Sequence, residues 1–125
     1  MSQEIKVPDM SLEAEVENPF AEIVMLTQLL AMEPKRTDAL LRRALVLLNM
    51  GQLVEAEADL NVAMELPDKW EKEIDKVRCK VAVCYYERGR MRHVSGDDKG
   101  AMEDMRHAME MAPEIVKEIT GRFNK

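Results

Sequence analysis

The sequence is poor in the residues that interrupt helices. Five glycines and five prolines are spread over 125 residues, and aromatic residues make up only 4 % of the chain. Threonine is sparse as well. Two cysteines, Cys79 and Cys84, stand five apart, a spacing that fits neither a metal site nor a CxxC redox pair. A disulfide within one helix is geometrically implausible, so both are expected to serve as small buried apolar groups. The longest apolar run is far too short to cross a bilayer. The first residues are acidic and lack the apolar segment of a signal peptide, so no membrane contact and a cytoplasmic location are expected.

Catalytic constellations are missing too. No HExxH, GxSxG or phosphate-cradling glycine loop is present. His93 and His107 are the only histidines and are expected on the surface, His107 on the outer face of its helix. The stretch SGDDKG lacks the alternating oxygen ligands and closing glutamate of a calcium loop and reads as a turn with an aspartate cap. A non-enzymatic protein with no metal and no cofactor is expected.

What remains is a helix-forming chain. Ala, Leu, Met, Glu, Lys and Arg dominate, with 46 % apolar and 34 % charged residues. Length allows one domain with a small core. The net charge of −6 is unevenly placed: residues 1–33 hold seven acids against Lys6 alone, and the rest of the chain is neutral. Residues 1–17 show no sustained periodicity and read as a flexible acidic arm, leaving 18–125 as the helical domain.

Six helices can be read along that domain. Asn18-Pro19 opens the first, which stops before Pro34. Thr37 and Asp38 cap the second, which ends near Asn49 or Met50 ahead of Gly51. The third runs from about Leu53 to Leu66 and is closed by Pro67. Asp68 caps a fourth, the fifth spans Asp97 or Asp98 to Met111, and Pro113 opens a short sixth that Gly121 ends.

The chain also repeats itself. Shifting by 45 residues places Gly51 on Gly96, Ala56 on Ala101, Asp59 on Asp104, Leu60 on Met105 and Ala63-Met64-Glu65 on Ala108-Met109-Glu110; Arg43-Ala44 falls on Arg88-Gly89. The paired alanines, seven apart, place small side chains two turns apart on one helix face, where a neighbouring helix can approach closely. Met102, Met105 and Met109, at i, i+3 and i+7, are expected to pack in the core, the alternative being a pliable methionine binding surface.

On these residues the chain resembles tetratricopeptide repeats, helix-turn-helix units of about 34 residues that stack into a right-handed superhelix. Thr37 to Trp70 looks like one full unit, LLAMEP ending at Pro34 like the tail of an earlier one, and Gly96 to Pro113 like the second half of a later one. The resemblance covers residues 19–113 and implies an all-α stack of antiparallel helix pairs, about two and a half units, with residues 113–121 as a capping helix. Leu40 stands where the family carries a bulky aromatic, with Tyr85 its counterpart. The shift of 45 exceeds the family period by eleven residues, almost three α-helical turns. An insertion of that size inside a helix keeps its buried face aligned, which predicts an unusually long fourth helix, about Asp68 to Val94; the alternative, which Gly89 allows, is a shorter helix over 69–88 and a loop through Arg92. The apolar stripe of the long helix would be Trp70, Ile74, Val77, Val81, Cys84 and Tyr85.

The resemblance further implies a concave groove lined by the first helix of each unit, holding a protein segment. Its residues would be Leu41, Leu45, Leu48 and Asn49 in the middle unit and Tyr86, Arg90 and His93 in the last. Leu41 and Leu45 occupy places where the carboxylate clamp of co-chaperone members needs polar groups, so no heat-shock-protein tail is expected there. Six bases between Lys76 and Arg92 face Glu87 alone, which reads either as a solvated face or as a groove for an acidic peptide. Nucleic acid is not expected, because the sequence pI is about 5.0 and no aromatic platform is present. The expected role is an adaptor or scaffold. The alternative is a homodimer that buries the groove, with the acidic arm lying on the basic helix of its own or a neighbouring chain.

Overall fold

The computed structural model describes residues 9–67 and 69–123. Residues 1–8 of the arm, and Asp68 as a helix cap, lie outside the described residues. Among the described residues there are six helices and no strand: α1 (Pro19–Met32), α2 (Thr37–Asn49), α3 (Leu53–Glu65), α4 (Glu71–Val94), α5 (Asp98–Met111) and α6 (Pro113–Phe123). The long helix is present as a continuous α4 of 24 residues. The chain forms two compact units, divided within α4 between Val77 and Arg78.

In the first unit, Asn18 accepts a hydrogen bond from the Ala21 amide at 3.2 Å and Pro19 follows as the first helical residue, so α1 begins with a satisfied cap and a fixed φ. Residue 36, not 37, caps α2. Arg36 has no side-chain capping bond, Thr37 is already helical, and Asp38 accepts from Arg36 Nε at 2.9 Å and from the Ala39 amide at 2.8 Å. The buried apolar side chains of this unit include Leu26, Leu29, Leu41, Val46 and Leu60. Ala44, Ala56 and Ala63 are buried with them, small enough for α2 and α3 to pack closely.

The α2–α3 turn is a Schellman motif. Gly51, at φ +76°, donates to the Leu48 carbonyl at 3.0 Å, and Gln52 donates to the Leu47 carbonyl at 2.9 Å. The second unit repeats it between α4 and α5. Gly96, at φ +92°, donates to His93 at 3.1 Å, and Asp97 donates to Arg92 at 2.8 Å. Both glycines hold a conformation that costs any side chain with a Cβ.

The hairpins share a polar clasp as well. Arg43 donates from Nε and Nη2 to the two carboxylate oxygens of Asp59, both at 2.7 Å. Arg88 does the same to Asp104 at 2.9 and 2.8 Å. Both aspartates are buried, and a bidentate guanidinium satisfies a buried carboxylate while fixing helix register. Beside the second clasp, a Cβ on Gly89 would stand 3.2 Å from the Ala101 carbonyl oxygen. The glycine admits α5 where its counterpart Ala44 admits α3. Ala101 and Ala108 are buried, as are Ala56 and Ala63.

Several expectations on the second unit are corrected. Met102 is 73 % exposed and Met109 is exposed too, with only Met105 partly covered, because the buried face of α5 is already filled by Ala101, Asp104 and Ala108. His107 is half-buried, its ring set edge-on to Tyr85 at 4.4 Å between centroids. Neither cysteine forms a disulfide and both are only partly buried; burial is the main cause that raises the Cys84 thiol pKa. Gly121 does not end α6, which continues to Phe123, because its backbone stays off positive φ and Arg122 pairs with Glu118 one turn back.

Candidate functional site

The second unit contains a cleft of about 420 Å³ between α4 and α6. Arg78 helps to hold α6 beside α4. It donates to the Met111 carbonyl at 2.7 Å, satisfying the end of α5, and to Glu114 at 2.7 Å in the first turn of α6. Ala112 and Val116 are buried. That leaves Ile115 and Ile119, one turn apart on another face of α6, to line the cleft with Val83 and Tyr86 from α4.

Four charged side chains also line it: Glu87 and Arg90 from α4, and Glu118 and Arg122 from α6. Glu118 accepts from Arg122 at 2.5 Å across one helical turn. The signs balance. Such a surface can bury apolar side chains and offer both donors and acceptors to a backbone. It contains no nucleophile paired with a base. Among the described residues no group of three or more His, Cys, Asp or Glu could hold a metal ion, and no helix is long and apolar enough to cross a membrane.

The site residues named from the sequence are thus separated by environment. Tyr86, 8 % exposed, and Arg90, exposed, both line the cleft. His93 does not; its Nδ1 lies 2.9 Å from Asp98 on the surface. On α2 in the first unit, Leu41 and Leu45 are buried at 1 % and 7 % exposure, Leu48 is partly buried and Asn49 is exposed. The surface left there for a ligand is therefore carried by Leu48 and Asn49. The basic run is largely engaged within the chain: Lys76 with Glu13, Arg78 with Glu114, and Arg88 and Arg92 with Asp104. Sequence reasoning missed Ile115, Ile119 and Arg122. Their signal is the i, i+4 spacing of the two isoleucines in PEIVKEIT, a pattern that a capping helix also explains.

No protein-family model, no curated protein and no solved structure matches the chain.

Proposed function

We propose that the protein is a non-enzymatic interaction module of the tetratricopeptide kind, an adaptor that binds a protein segment in the cleft between α4 and α6. The observation that supports this most is the cleft itself, whose apolar surface from Val83, Tyr86, Ile115 and Ile119 carries Arg90 and Arg122 beside it. Its volume falls in the range of small binding sites, about 300–1,000 Å³. The twin hairpins, each with its Schellman glycine and Arg–Asp clasp, support stacked repeat units, and a right-handed superhelix is the arrangement proposed for them. Burial of apolar side chains leads recognition, because the balanced charges of Glu87, Arg90, Glu118 and Arg122 favour no net charge on the partner. Arg90 orients a carboxylate or backbone carbonyl of the segment. The cytoplasm is the proposed location.

The test compares two variants, one at the half-buried Ile119 and one at the exposed Val54, in capture from native extract. Ile119→Glu places a charge in the cleft, and Val54→Glu, on α3, places one outside it. Loss of a captured protein with the first and retention with the second supports the site; equal retention removes it. A homodimer is the second reading, favoured by Phe20 at 71 % and Val24 at 56 % exposure on α1. Light scattering that finds a monomer at all concentrations removes that reading.

A further inference from the structure

Arg42, on α2, is 1 % exposed, and all five of its N–H donors are used. Nε and one Nη2 proton go to the carboxylate of Glu22, which is itself buried. The other three go to main-chain oxygens of the acidic arm: Ser11 and Ala14, both 2.9 Å from Nη1, and Glu15 at 3.3 Å from Nη2. The repeated hairpin does not require this arginine, since Glu87 stands at the corresponding place in the second unit.

The arm segment is held in an unusual way. Residues 9–17 form no helix or strand, and none of them is fully buried. They fold locally, with the Ser11 amide on Asp9 at 2.9 Å and the Ala14 amide on the Ser11 carbonyl at 3.3 Å, which turns carbonyls toward one point. One exposed ion pair, Glu13 to Lys76 at 2.8 Å, adds a contact that salt screens. Beside the segment lies a cavity of about 580 Å³, lined in part by Ala14, Glu15, Met25 and Arg42. The segment borders this hollow, and its apolar side chains Met10, Leu12, Ala14 and Val16 are covered only in part, so none of them locks it in place.

We propose that Arg42, held by Glu22, is a receptor for a turn-forming peptide that offers three backbone carbonyls within five residues, and that residues 9–17 fill it in cis as a displaceable strap. The site reads main-chain oxygens, so it takes its ligand by backbone shape, with an acidic side chain placed for Lys76. It lies in the first unit and is independent of the cleft between α4 and α6.

Two experiments on the full chain test this. In the first, a glutamate-specific protease cuts the arm at Glu13, Glu15 or Glu17 while circular dichroism follows helix content. Arg42→Lys, and the paired change Arg42→Met with Glu22→Met that replaces the buried ion pair by apolar groups, should each speed cleavage by about tenfold, because nicking follows the opened population. Unchanged rates in the folded variants overturn the strap. In the second, residues 9–17 are replaced by a Gly-Ser linker and a fluorescent peptide of sequence 9–17 is titrated in. It should bind the linker variant, fail to bind the wild type at the same concentration because the tethered strap competes, and fail to bind the linker variant carrying the paired Met changes. Binding to neither protein, or binding unaffected by the Met changes, overturns the receptor.

Discussion

Arg88 grips Asp104 through two hydrogen bonds across sixteen residues, and Arg43 grips Asp59 across the same separation with the same pair of nitrogens. Two hairpins of one chain thus carry one clasp at equivalent places. Asp59→Asn and Asp104→Asn should therefore cost similar amounts, roughly 2 kcal/mol each, since each leaves a guanidinium with a partner that can no longer accept two charged hydrogen bonds. Urea unfolding measures it; a loss in one hairpin and none in the other contradicts their equivalence.

Acid should act through the second clasp. The Arg88 guanidinium is the main cause that lowers the Asp104 pKa below the ordinary carboxylate value. A lowered folded pKa means that the clasp contributes its full stability above the unfolded value, about pH 4 for Asp, and loses it as pH falls through the lower folded value. Melting temperature followed from neutral pH down through that window should fall more steeply for wild type than for Asp104→Asn.

The glycines should divide by conformation. Gly51→Ala and Gly96→Ala force a Cβ into positive φ and should destabilise by about 1 kcal/mol each. Gly121 lies in α6 with nothing within 4 Å of an added Cβ. Gly121→Ala should stabilise, by up to about 1 kcal/mol from helix propensity. Thermal melts of the three variants give the signs directly.

Small residues and methionines on α5 should behave oppositely. Ala101→Leu adds bulk where Gly89 brings α4 against the Ala101 backbone, and should cost about 1–3 kcal/mol by overpacking. Met102→Ser, at an exposed position, should change stability by less than about 0.5 kcal/mol. Denaturant midpoints of the two variants compare them.

The helices and their turns were legible because breakers and caps act locally. Pro19, Gly51, Gly96 and Asp97 each satisfy or end a helix by themselves, and the repeat at 45 residues exposed the small positions that let helices meet. The long α4 was legible only by setting the shift of 45 residues against the period of the family the chain resembles. Three kinds of error have physical causes. Gly121 looks like a stop in the sequence, yet a glycine ends a helix only when the chain takes positive φ there. The spacing of Met102 and Met109 suggests core, yet helical spacing does not say which face is buried when alanines and a clasped aspartate already fill it. The partial burial of His107 is hidden from the sequence because its contact with Tyr85 joins residues on different helices. The cleft was half legible: Tyr86 and Arg90 came from the repeat register, while Ile115 and Ile119 depend on how Arg78 ties α6 in place. Arg42 gave no signal, because an arginine beside leucines does not reveal that backbone carbonyls thirty residues away complete it.

The most direct measurement is cross-linking from inside the cleft. A photo-reactive residue placed at Ile119, with the same residue at Val54 on α3 as control, is irradiated in cells. The expected result is a discrete adduct with another protein from position 119 alone, lost when Arg90→Glu is added. No adduct at 119, or the same adducts from both positions, would contradict a segment-binding cleft between α4 and α6.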